Sequence, residues 1–181
     1  LASFVSQQQS SWYGLTRYEA GQRHAYANLQ YEWFWGARQT NELKTGLSFR
    51  HFVLEENIAF SPADTLGRSF AGDYVRTENI PGGFVENTFH FKDDRWVWIT
   101  GVRADRHNQH GWRLTPRTML RFNPSPDLDL RASIGTGWRT VNLFPENTAL
   151  LVGSRDIVFA ETLLPERAWN EIGRASCRER V

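Results

Sequence analysis

RASIGTGWRTVNLFPEN (residues 131–147) alternates through its first nine residues and then stops. Arg131, Ser133, Gly135, Gly137 and Arg139 take one face, while Ala132, Ile134, Thr136 and Trp138 take the other. A period of two belongs to a β-strand, whose successive side chains leave opposite faces of the sheet. One face is apolar and the other mixes glycine with arginine, so both need an explanation. The expected strand runs from Leu128 to Arg139, and VNLFPEN begins a connection.

The same pattern recurs along the chain. Ala25, Ala27, Leu29, Tyr31, Trp33 and Trp35 oppose Tyr26, Asn28, Gln30, Glu32 and Phe34. Leu43, Thr45, Leu47, Phe49 and Val53 oppose Lys44, Gly46, Ser48 and Arg50. Trp96, Trp98, Thr100, Val102 and Ala104 oppose Gly101, Arg103, Asp105 and His107. Trp112, Leu114, Thr118, Leu120 and Phe122 oppose Arg113, Thr115, Arg117 and Arg121. Short polar turns are expected at 36–41, 92–95 and 123–127. The other connections are 14–23, the long stretch 58–82, the hairpin tip 108–111, and 140 to about 165. The fold class is therefore all-β, an antiparallel up-and-down meander of seven or eight strands, with about 3–13 as the first. Pro116 inside a strand lacks a ladder N–H and is expected to mark either a bulge or a tolerated local break in the pairing.

Composition narrows the class. The chain has 181 residues, 14% aromatic with eight Trp, a net charge of +1 and a mean hydropathy of −0.52. A charge so close to zero argues against a nucleic-acid partner. No apolar run reaches the ~18 residues of a membrane helix. Cys177 is the single cysteine, so no internal disulfide can form. The chain opens on Leu1 without a leader, and residues 172–181 read as a back-translated sequencing adapter. The expectation is a fragment of a longer reading frame, with native sequence over 1–170, a non-native tail over 171–181, and no signal peptide.

Two architectures fit alternating strands. In a soluble β-sandwich, such as a carbohydrate-binding module, two apolar faces meet in a core. In a transmembrane barrel the apolar face meets lipid and the polar face lines a lumen. Trp33, Trp35, Trp96, Trp98 and Phe122 cluster beside the short turns, as expected of an aromatic belt at the lipid interface, and Trp138 is expected near the opposite interface. Arg103, Asp105, Arg113, Arg117, Arg121, Arg131 and Arg139 form a charged ladder that suits a lumen. Short turns at one end and long connections at the other favour the barrel.

The opening stretch also resembles a family signature. GTGWRTVNLFPEN followed by ETLLPERAWN is similar to the paired motifs GFRAPxLxEL and LKPExxxxYE of TonB-dependent outer-membrane receptors. Gly137, Trp138, Arg139, Asn142, Leu143 and Glu146 match the first motif, and Leu164, Pro165, Glu166 and Asn170 the second. The preceding stretch is similar to the family hairpin through Gly101, Arg103, Asp105, Thr115, Pro116, Arg117, Pro124, Arg131, Ser133 and Gly135. Thr140 and Val141 stand where the family has Ala-Pro. The resemblance runs clearly over about 96–170 and only as pattern over 1–95.

The resemblance implies a fold of about 22 strands closed around an N-terminal plug, a domain that nothing in this sequence matches. It implies active uptake of a scarce, bulky nutrient (ferric siderophore, haem, cobalamin or oligosaccharide) across the outer membrane of a Gram-negative type cell. The implied partners are outer-membrane lipid, the cargo, and the TonB energy-transducing complex acting through an N-terminal plug region. No cofactor, metal or catalytic set is expected, since nucleophile elbow, HExxH and phosphate loop are all absent.

Among candidate site residues, Phe70, Asp73, Tyr74 and Arg76 lie in the long connection 58–82 and could touch ligand or serve only as a lid. The arginines could line a path for anionic cargo, hold the plug, or pair with acidic neighbours. His107 and His110 could offer two metal ligands without a third, or be plain loop residues.

Overall fold

The computed structural model describes residues 1–36, 40–153, 155–158 and 163–177. Eight strands pair antiparallel in chain order as one sheet. They are β1 (Ala2–Tyr13), β2 (Thr16–Trp35), β3 (Asn41–Phe60), β4 (Gly72–Phe91), β5 (Trp96–His107), β6 (Gly111–Ser125), β7 (Leu128–Arg139) and β8 (Glu166–Cys177). Two four-residue helical turns, α1 (Leu143–Glu146) and α2 (Ala149–Val152), lie between β7 and β8. The expected meander is present. No second sheet faces it among the described residues, which excludes the sandwich. β1 and β8 are the two edges of an open sheet, so this is an incomplete barrel wall.

Register assigns the faces. One rung runs Lys44, Glu86, Gly101, Arg117 and Gly135 across β3 to β7. This inner face carries the whole arginine ladder. The outer face carries Ala27, Phe49 and Pro81 side by side at one level. Below that level the outer face is predominantly apolar down to the short turns, with Asn87 and a few threonines as its polar members, over the ~9–11 residues a membrane strand requires. Leu29, Leu47 and Leu114 are 73%, 67% and 67% exposed there. A continuous apolar surface of this extent has to be covered by something other than water.

Above that level the outer face turns polar: Arg17, Glu19 and Arg23 on β2, Glu55 and Asn57 on β3, Asp73, Thr77 and Asn79 on β4. This corrects two expected connections. Residues 16–23 belong to β2 and residues 72–82 to β4, because the ladder continues after apolar alternation ceases. The turn at 92–95 joins β4 to β5 as expected. Lys92, Asp93 and Asp94 all adopt positive φ (51°, 55° and 66°), a region Asp tolerates better than most residues. Residues 37–39 of the expected turn at 36–41 lie outside the described residues. Pro116 marks no bulge, since it sits in unbroken register opposite Val102. The irregularity falls between Phe122 and Ser125, and the ladder from β6 to β7 ends at Arg117, just before the missing N–H.

Candidate functional site: the inner wall and its loop-end mouth

On the inner wall, charged side chains reach across glycines. Arg117 Nε on β6 donates to Glu86 Oε2 on β4 at 2.7 Å, over Gly101 of the intervening β5. A Cβ at Gly101 would lie 2.8 Å from the Val85 carbonyl oxygen. Arg103 on β5 likewise reaches Ser48 Oγ on β3 at 2.6 Å, past Gly82 of β4. Its Nε also donates to Asp105 Oδ2 at 2.8 Å. Arg121 and Arg131 both grip Asp129, at 2.7 and 2.8 Å. Arg139 spans Glu146 and Glu166 at 2.9 and 2.7 Å. Arg113 faces Asp105 across the ladder, with its Nε buried and unsatisfied among the described residues. The ladder is thus largely self-paired. Half-exposed pairs of this kind contribute only about 0–1 kcal/mol each.

At the loop end the inner face becomes a small hydrophobic core. Tyr18, Ile58, Phe70, Phe144 and Leu151 bury together, drawing the 61–71 connection and the α1–α2 segment onto β2 and β3. Phe70 and Phe144 stack at 6.4 Å between centroids, and Phe60 meets Phe70 edge-on at 5.0 Å. Polar clasps fasten the two connections. Asp156 accepts from the Ser69 N–H at 2.7 Å and its Oγ–H at 2.8 Å, which holds the Asp156 carboxyl below its ordinary range. Thr16 Oγ1 donates to the Leu151 carbonyl at 3.0 Å. Tyr18 Oη donates to Glu56 Oε1 at 2.8 Å, and burial pushes both groups up.

These contacts decide where the expected ligand-contact residues stand. Phe70 is 2% exposed, so its ring is committed to the core. Tyr74 Oη donates to the Phe70 carbonyl at 2.8 Å. Arg76 donates to the Val141 carbonyl at 2.6 Å and to Asn142 Oδ1. Asp73 sits on the outer face of β4, accepting from Asn57 Nδ2 at 2.7 Å. The structure therefore corrects their description as loop residues, since three of the four are in β4, and it brings no two of them together on an open surface.

His107 and His110 lie 4.6 Å apart, but His107 Nδ1 accepts the backbone N–H groups of Gln109 and His110 at 3.0 and 3.2 Å. Among the described residues no group of three or more His, Cys, Asp or Glu is arranged to hold a metal ion. Sequence reading missed the partners of His107 altogether. Glu78 on β4 is 1% exposed and lies between Arg50, Arg76 and His107, at 3.2, 3.3 and 3.7 Å. Glu78 falls in a stretch expected to be loop, so no alternation flagged it.

On the outer face the aromatics gather beside the short turns. Trp35, Phe89, Phe91 and Trp98 form a chain of ring contacts, and Trp96 stacks on Phe122 at 3.9 Å. Trp33 is 56% exposed on the same face. The indole N–H groups find partners within the sheet: Trp35 donates to Asn87 Oδ1 at 3.0 Å and Trp98 to Thr118 Oγ1 at 2.7 Å. Trp138 departs from its expected place. β7 has left β6 beyond Gly135, and the Trp138 ring turns edge-on to His107 at 5.8 Å.

A family model described as TonB dependent receptor-like, beta-barrel, matches residues 2–170. Among solved structures, the siderophore receptor PirA from Pseudomonas aeruginosa is similar at 15% identity and TM-score 0.57, covering 99% of this chain and 35% of that one. The siderophore receptor PirA from Acinetobacter baumannii is similar at 17% identity and TM-score 0.47, covering 71% and 18%. The chain thus spans about a third of the length of the first of these structures and less than a fifth of the second. No curated protein matches it.

Proposed function

The chain belongs to the TonB-dependent receptor β-barrel family, and we propose on that footing that it forms wall strands of an outer-membrane receptor importing a scarce, bulky nutrient. One observation carries the reading: an apolar outer band in register across the strands lies back to back with a charged, self-paired inner wall. Such a sheet is stable only with lipid on one side and a wet lumen on the other. A ferric siderophore is the favoured cargo, in keeping with the name of the similar structure from Pseudomonas aeruginosa. Energy would come from TonB acting through a plug region, and the role is transport rather than catalysis.

The inner arginines, on this reading, hold the wall together instead of gripping cargo. The support is that Arg103, Arg117, Arg121, Arg131 and Arg139 each already meet a carboxylate. Residues 171–181 stand outside the receptor proper. The family match stops at 170, and the pairing of 171–177 with β7 is a backbone ladder that any extended segment can join. Amplifying the coding DNA with gene-specific primers across this point tests it; recovery of the same codons would refute it.

The functional test uses the whole receptor. It should fractionate with the outer membrane, require detergent, and support TonB-dependent uptake of a radiolabelled ferric siderophore under iron limitation. A product soluble without detergent would overturn the membrane reading. Outer-membrane location without TonB-dependent uptake of any of the four cargo classes would overturn the transport reading alone.

A further inference from the structure

The Glu78–His107 centre sits at the outer rim, above the apolar band. Arg106 on the outer face marks the end of that band on β5, and His107 is the last residue of the strand. Its side chain is fully buried. Two backbone N–H groups, from Gln109 and His110, point at Nδ1, so that nitrogen carries no proton. Neutral His107 therefore holds its proton on Nε2, 3.7 Å from Glu78 Oε1, and neither atom has a hydrogen-bond partner among the described residues.

We propose that His107 is a proton-operated latch that keeps the β5–β6 hairpin closed against the end of β7 and opens it in acid. The chemistry lies in one site on the ring. A second proton can enter only at Nδ1, where it would place a donor against two donors and break the bonds that shape the turn. The resulting imidazolium would also be buried, facing Arg50 from β3 and His110 from the hairpin tip. Glu78 on β4 would attract it, but that carboxylate is already shared by Arg50 and Arg76. Asp105, on its own strand, is taken by Arg103, and β7 contributes only the uncharged Trp138 ring. Burial, with His110 and Arg50, outweighs Glu78 and holds His107 below the ordinary 6.5.

The opened hairpin exposes the ring to water, where its affinity for a proton is ordinary. Opening is accordingly disfavoured above pH 6.5 and becomes easier as the pH falls below it. Two neighbours feel the change. Trp138 loses the ring it packs against, and Glu78 connects through Arg76 to Val141 and Asn142 at the start of the following connection. The latch thus joins a proton to the loop-end mouth, whatever the receptor carries.

The test places a spin label at Gln109→Cys in the whole receptor in detergent, with any cysteine native to that receptor replaced by Ser, and follows label mobility from pH 8 to 4. The expected result is a reversible gain in mobility with a midpoint below 6.5. A label at Asp127→Cys, in the turn at the opposite end, should stay unchanged over that range. H107Q should abolish the transition, and H110Q should retain it. No transition in the parent protein, an equal transition at position 127, or a transition lost in H110Q and kept in H107Q would each overturn the proposal. The first two readouts need no substitution at His107, so they decide even if H107Q folds poorly.

Discussion

Glu86 on β4 and Arg117 on β6 are paired across a strand that belongs to neither, and the Nε–Oε2 bond of 2.7 Å passes over the bare backbone of Gly101. The glycine matters here for its missing side chain, since its φ is unremarkable. Gly82 plays the same part beneath Asp105 and Arg103. Glycine interleaved with charged residues on one face, as at Gly82 and Gly101, is the one-dimensional trace of a wall whose charges reach sideways.

Gly101→Val should therefore cost more than removing the ion pair itself. A Cβ there meets the Val85 carbonyl at 2.8 Å and the Glu86 Cβ at 3.0 Å. Overpacking of this kind destabilises by about 1–3 kcal/mol. Glu86→Gln removes the pair's charge, but Arg117 is 68% exposed, so about 0–1 kcal/mol is expected. Urea unfolding of the whole receptor in detergent would rank the two. An equal loss for both variants would mean that the charge, not the space, governs this site.

Phe70→Ala should loosen the mouth by about 3 kcal/mol, because a buried ring in a core cluster is deleted. Protease cutting within 61–71 should then rise sharply while the apolar-band strands stay protected. A fall in cargo affinity with unchanged protease resistance would show instead that Phe70 meets ligand.

How much of this was legible in the sequence differs strand by strand. β5, β6 and β7 read directly, because their outer faces stay largely apolar, up to Arg106 at the end of β5, and the period of two survives. The upper halves of β2, β3 and β4 did not, because Arg23, Glu55 and Thr77 stand on a face that has risen beyond the band. Without an apolar face there is no alternation to see, and the strands looked like loop. The Phe70 core was hidden for a different reason. Its partners Phe144 and Leu151 lie some seventy to eighty residues away and dock only once the sheet exists. Glu78 and His107 met the same obstacle, since register alone brings them within 3.7 Å.

The Ser69–Asp156 clasp should weaken only in strong acid. The Asp156 carboxyl is held below its ordinary 3.8 by the two hydrogen bonds from Ser69. Its contribution is complete above 3.8 and disappears as the pH falls through the lower folded value. Hydrogen exchange at the Ser69 amide, corrected for the intrinsic rate, should show protection at pH 6 that is lost below about pH 3.8. Asp156→Asn should lower protection at pH 6 and flatten the pH profile. A pH profile that persists in Asp156→Asn would assign the effect to another carboxylate.

Trp98 and Trp138 should answer differently to lipid, although both stand on the apolar side of the alternation in the sequence. Trp98 is 40% exposed on the outer face and stacks on Phe89 at 5.3 Å, so one surface of the indole is free to meet acyl chains near the short turns. Trp138 lies past the point where β7 leaves β6, and its ring abuts His107. In whole receptors with all other tryptophans replaced, brominated lipid should quench Trp98 strongly and Trp138 weakly. Equal quenching would return Trp138 to the lipid interface and remove one of the two neighbours that His107 is proposed to control. Strong quenching at Trp138 with none at Trp98 would reverse the two faces, and the assignment of the arginine ladder to a lumen would fall with it.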